Sequence, residues 1–205
     1  MIEIISKNYE RLARMIPGLL WPMRLYFFRL LVGKIGKGVK VSVDHVIMRP
    51  HLMHFGDYVF INTGFYCATI RKLTIEDRVM FGSNCSIIGG DHNYSDVTQN
   101  MRFTHSLGED REIKIESDAW IGHGTTILKR AIIREGAIIG AGSVVNSDVK
   151  PYSVYAGSPA KFIKPRFKTW EDLVSYLEMM KEEYGFESRY STQELENFFQ
   201  EFYKK

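Results

Sequence analysis

The 205-residue chain holds only two cysteines, six prolines and no long uninterrupted apolar run. Cys67 and Cys85 are too few for a disulfide framework and too far apart for a paired zinc site, so both are expected to be buried, reduced thiols, which fits the cytoplasm. The N-terminal MIEIISKNYERLAR has no apolar core followed by a small-residue cleavage site, so no secretory leader is expected. The most apolar stretch, Ile16 to Val32, is broken by Pro17, Pro22, Arg24 and Arg29. It is too short and too charged to span a bilayer, although such a segment also suits a membrane surface. The net charge is only +3 and no Lys/Arg block stands out, so nucleic acid is not an expected partner.

What the chain does have is a period of six. From Ile115 the sequence reads IESDAW, IGHGTT, ILKRAI, IREGAI, IGAGSV, VNSDVK. Its first slot is Ile115, Ile121, Ile127, Ile133, Ile139 and Val145; its fifth is Ala119, Thr125, Ala131, Ala137, Ser143 and Val149. FGDYVF and INTGFY repeat the pattern upstream, then IEDRVM and FGSNCS after a two-residue slip of phase, and IGKGVK from Ile35 makes a ragged start. Helical spacing would scatter these aliphatics around the axis. Short repeats of fixed length point to a solenoid, each hexad being one short strand and a turn, and three hexads closing one triangular coil. The first-slot side chain points inward, the small fifth-slot residue lets the walls approach, and stacked coils pair their strands in parallel.

Residues 1–34 read as an N-terminal helical cap over the open first coil, with Leu25, Phe28, Leu31 and Val32 on one face and Arg24 and Arg29 elsewhere. The repeats occupy 35–166. From 167 to 205 two helices are expected: one starts at Thr169, with Asp172 three residues on and a stripe of Trp170, Leu173, Leu177 and Met180, and a shorter one starts at Ser191. Between Ile88 and Ile113 the polar, unperiodic GGDHNYSDVTQNMRFTHSLGEDRE (89–112) interrupts the hexads and is expected to project as a loop, a common home for an active site.

Together, GGDHNYSD (89–96), AWIGHGTTIL (119–128), IIGAGSVV (138–145) and PYSVYAGSPAKFIK (151–164) resemble the hexapeptide-repeat acyltransferases, in particular the branch with galactoside, maltose and virginiamycin-type acetyltransferases and capsular polysaccharide O-acetyltransferases. The resemblance covers about 35 to 167. It implies an all-β core wound as a left-handed parallel β-helix, a homotrimer with active sites between subunits, and acetyl-CoA as co-substrate with no metal.

Residue by residue, the resemblance makes His92 the catalytic base. An imidazole titrates near neutrality and can take a proton from a sugar hydroxyl, which then attacks the thioester directly. Asp91 would orient His92. Trp120 matches the aromatic beside the acetyl end of the co-substrate; the alternative is packing between subunits. Gly122 and the His123 backbone N–H match an oxyanion donor, while the His123 side chain departs from the family. Ala141, Gly142 and Ser143 match the pantetheine channel, or simply fit a tight corner. Ser158, Pro159, Ala160, Lys161 and Lys164 match the adenine end, the lysines suiting phosphates; taken alone, they read as solvated cations. Asn62 and Asp96 are assigned to the acceptor, and Asn62 equally suits an inter-strand turn. Lys129, Arg130 and Arg134 stand where the family usually has Pro-Gly and Gly.

The implied activity is O-acetylation of a sugar or polysaccharide precursor, with an antibiotic acceptor as a variant of the same chemistry. A metalloenzyme like the γ-class carbonic anhydrases is the first alternative. It needs three histidines around one metal, and His92, His105 and His123 lack the close pair such a site uses, whereas His51 and His54 fall in the wrong coil. A non-catalytic trimeric sugar-binding scaffold is the second.

Overall fold

The structure is a computed structural model that describes residues 26, 28–42, 45–104 and 112–203. Short strands stack into three parallel sheets. The first face holds Lys34–Ile35, Met53–Phe55, Leu73–Ile75, Ile113–Ile115 and Ile132–Ile133. The second holds Lys40–Val41, Phe60–Ile61, Met80–Phe81, Trp120–Ile121 and Ile138–Ile139, and ends in a hairpin of Ser153–Gly157 and Ala160–Pro165. The third holds His45–Met48, Phe65–Ala68, Ser86–Ile88, Thr126–Leu128 and Val144–Val145. This is the three-sided parallel β-helix that the hexads predict.

The buried slots are the predicted ones. Ile115, Ile121, Ile127, Ile133, Ile139 and Val145 are buried inside the prism, as are all six fifth-slot residues from Ala119 to Val149. Cys67 and Cys85 belong to the same core and are free thiols. Burial pushes the Cys67 thiol up to about 12, so it does not ionise near neutrality.

The phase slip has a geometric origin. Within a coil the inward residues are six apart: Phe55, Ile61, Cys67, then Ile75, Phe81, Ile87. The extra two residues fall at the corner after the third face, at 49–52 and 69–72, so His54 pairs with Thr74 twenty residues on, whereas Lys114 pairs with Ile132 eighteen residues on. The 89–112 loop leaves from that same corner in the next coil. A corner between rigid strands absorbs insertions without disturbing the ladder.

At the N-terminal end, residues 28–31 are helical and Phe28 closes the prism, meeting Phe55 edge-on at 5.8 Å. Phe28, Leu31 and Val32 are buried and Arg29 is exposed, as expected of a cap; Arg24 and Leu25 lie outside the described residues. At the other end follow α1 (Trp170–Tyr184) and α2 (Thr192–Tyr203). Thr169 and Asp172 form a reciprocal capping box on α1, and Ser191 and Glu194 do the same for α2. Leu173 and Leu195 bury against Tyr152 in a second cluster with Phe167, Trp170 and Phe199. Among the described residues no helix is long and apolar enough to cross a membrane.

Candidate functional site

The predicted residues divide between two corners of the prism. Asp91 and His92 rise from the corner after the third face, at the start of the loop. His92 Nδ1 lies 2.9 Å from the carbonyl oxygen of Thr104 across the loop. A carbonyl only accepts, so Nδ1 carries the proton and the neutral ring keeps its lone pair on Nε2. Thr104 is itself buried, and its hydroxyl donates to the Asn93 and Met101 carbonyls, tying the two limbs of the loop together. The Asp91 carboxylate is paired with Lys129, at the end of the third-face strand below, and accepts the His92 backbone N–H at 2.9 Å. Lys129 first, and that N–H second, hold the Asp91 carboxyl below its ordinary range. The cation that departs from the family pattern is therefore the one that anchors the loop base.

Asp96 is occupied within the loop: its carboxylate accepts from the backbone and hydroxyl of Thr98 and from Gln99. His105 lies outside the described residues, as does the loop from 105 to 111. Among the described residues, no group of three or more His, Cys, Asp or Glu side chains is arranged to hold a metal ion.

The residues assigned to the co-substrate lie along the second face and the corner after it. Ile61, Phe81 and Ile121 stack in register, with Ile139 next, so Asn62, Gly82, Gly122 and Gly140 form one column. Asn62 turns its side-chain oxygen onto the Thr63 N–H. Gly122 is buried, whereas His123 is exposed and meets the Ser83 hydroxyl at 2.8 Å through Nδ1. A Cβ on Gly82 would lie 2.7 Å from the His123 nitrogen, so only glycine tolerates that approach. Further along the axis, Ala141 and Gly142 are exposed at the corner, and Gly142 has a φ of 71° with open space where a Cβ would be. Ser143 is buried; it donates to the Gly140 carbonyl and accepts the Gly157 N–H. The column ends at the hairpin, with Ser158, Pro159, Lys161 and Lys164 exposed and Ala160 buried.

Trp120 points outward and is 47% exposed; it stacks in register on Met80, which stacks on Phe60. An apolar ladder of this size on an open sheet calls for a covering partner or ligand. A cleft of about 880 Å³ between α1 and the corner residues Lys37, Tyr58 and Arg78 contains none of the predicted residues.

One constellation has no counterpart in the hexad pattern. Between α1 and α2, Arg189 reaches across carboxylates of three successive coils: it pairs with Glu76, lies 3.1 Å from Glu116 and 3.8 Å from Glu135. Tyr190 donates to Glu116, while Tyr152 and Ser188 donate to Glu135. Glu116 and Glu135 are buried, so these donors are what makes their burial tolerable. Outward-slot carboxylates recurring in three coils were the available signal, but the cation that reads them lies past the end of the repeat.

Residues 112–147 match the family described as bacterial transferase hexapeptide (six repeats). Over 140 residues the chain is 29% identical to a probable acetyltransferase of Mycobacterium tuberculosis, a match covering 67% of this chain and 46% of that protein. The chain spans about half the length of the first curated relatives it matches. A maltose O-acetyltransferase structure from Clostridium difficile superposes with a TM-score of 0.67 and 29% identity, over 78% of this chain and 83% of that one. A hexapeptide-repeat acetyltransferase from Vibrio cholerae, solved with acetyl coenzyme A, gives 0.69 and 27%, over 80% and 87%. The six-residue repeat and the three-sided coil it builds are thus similar to those of the hexapeptide-repeat acetyltransferases, whose repeat model residues 112–147 match.

Proposed function

We propose that the protein is a cytoplasmic, acetyl-CoA-dependent O-acetyltransferase acting on a hydroxyl of a sugar or polysaccharide precursor, with His92 as general base. The observation that carries this reading is the bond from His92 Nδ1–H to the Thr104 carbonyl, which leaves Nε2 of the exposed ring as its acceptor. Nε2 takes the acceptor's hydroxyl proton as its oxygen attacks the thioester carbonyl. The oxyanion so formed is met by the His123 backbone N–H, a donor worth a few kcal/mol in such a place. Collapse expels the CoA thiolate, which recovers the proton from the imidazolium. The acetyl-CoA complex of the Vibrio cholerae relative supports the donor, and the maltose O-acetyltransferase supports a sugar hydroxyl.

His92 and the His123–Lys164 column rise from different corners of one prism, so the reading requires the loop of one subunit to meet the column of another. A homotrimer satisfies this by symmetry, and the Phe60–Met80–Trp120 ladder is the apolar face such an assembly would cover. Titration of acetyl-CoA into wild type and His92→Ala by calorimetry, with acceptor-dependent thiol release on the same samples, tests the proposal. Binding to both with release only from wild type is expected; a folded wild type that binds no acetyl-CoA refutes it.

A further inference from the structure

The hairpin that carries Lys161 and Lys164 does not stand alone. Its cross-strand pair is Tyr155 and Phe162, edge-on at 5.8 Å. On its outer side Phe162 is stacked by Phe202 from the last turn of α2, with ring centroids 4.5 Å apart and planes inclined by 9°. Glu201, one residue earlier, is paired with Lys150 at the foot of the hairpin, and the Lys150 ammonium lies 5.6 Å from the Phe202 ring. The start of α2 is held independently: Arg189 and Tyr190 are bound to the acid ladder, and Leu195 is buried beside Tyr152. Helix α2 thus forms a strut from the coil to the outer face of the hairpin.

We infer that α2, through Phe202, positions the hairpin that receives the phosphate and adenine end of acetyl-CoA, making Phe202 a positioning residue for co-substrate affinity. The inference rests on the acetyl-CoA reading above. The inner strand of the hairpin, Ser153–Gly157, pairs with Ile138–Ile139, whereas the outer strand, Ala160–Pro165, is the edge of the sheet with no further coil to pair with. Lys161 and Lys164 flank Phe162 in the chain, so a hairpin freed from Phe202 carries both ammonium groups away together. By linkage, a ligand that needs the hairpin in place also stabilises the strut.

The test separates the steps. Phe202→Ala is expected to raise Kd and KM for acetyl-CoA about fivefold, the scale of one aromatic pair, while kcat at saturating acetyl-CoA and the acceptor KM stay unchanged; Phe202→Tyr restores the affinity. An unchanged Kd in a cooperatively folding Phe202→Ala overturns the inference while leaving the acetyltransferase reading intact. If wild type itself binds no acetyl-CoA, the reading falls and the inference with it. Should Phe202→Ala not fold, hydrogen exchange in wild type decides: saturating acetyl-CoA must slow exchange across 192–203, and equal rates with and without it overturn the proposal.

Discussion

His92 and Thr104 stand twelve residues apart in the loop, yet the imidazole Nδ1–H of one donates to the main-chain carbonyl of the other at 2.9 Å. This bond selects the tautomer and the ring direction without spending a carboxylate on either. Asp91, the expected partner of the ring, instead receives the His92 backbone N–H and Lys129. The orienting group is therefore a peptide carbonyl that no side-chain reading reveals.

Replacing His92 by Ala is expected to lower kcat by about 10²- to 10⁴-fold, the usual span for a lost general base, with acetyl-CoA affinity within twofold of wild type. Steady-state thiol release together with calorimetry measures both.

Thr104→Val keeps the carbonyl but removes the hydroxyl that ties Asn93 and Met101. The Asn93 and Met101 carbonyls then lose a donor, at about 1 kcal/mol for each bond. The loop should loosen, with kcat down several-fold and acetyl-CoA Kd unchanged. Faster proteolytic cleavage within 89–112 is the independent readout.

The shared site predicts complementation. Inactive His92→Ala is mixed with a Lys161→Glu/Lys164→Glu variant, at an acetyl-CoA concentration where each alone is silent. After dissociation and reassembly, roughly a quarter of wild-type activity should return, because in the proposed trimer each site draws its loop and its column from different subunits. No recovery in a mixed trimer would show that both halves come from one chain.

Arg189→Met should destabilise the fold by about 3 kcal/mol at pH 7, because three carboxylates lose their shared cation and two of them are buried. Burial raises the Glu76 carboxyl, but Arg189 and Lys114 outweigh it and bring it below its ordinary 4.5. A lowered carboxyl contributes stability above its unfolded pKa and loses it as pH falls through the folded one. The gap between variant and wild type should therefore shrink below about pH 4.5. Burial instead pushes the Glu135 carboxyl up, and its uptake of a proton in acid works in the same direction for the variant. Thermal melts at pH 7 and pH 4 report the difference.

The two-residue slips at 49–52 and 69–72 and the loop at 89–112 look unrelated in the sequence. In the fold they are one corner, lengthened in three successive coils. The sequence could show that something interrupts the hexads, but only the stacking of strands shows that the same edge is interrupted each time.

The inside of the prism is legible in the period of six. A first-slot aliphatic and a small fifth-slot residue have one stable arrangement, because their period matches the coil and each coil buries the next; hence the fold, the buried thiols and both capping boxes were legible. The loop that breaks the period is equally legible, while His92 as its candidate base comes from the resemblance of GGDHNYSD to the acyltransferases. Contacts between residues distant in the chain emerge only on folding: the carbonyl that holds the His92 ring, the Lys129 anchor at Asp91, Arg189 across three acid rungs, and Phe202 against Phe162. Local period governs burial, which is set within each hexad. Polar partners and ring stacks are set by which coil, corner or helix end arrives beside which other, and no repeat encodes that.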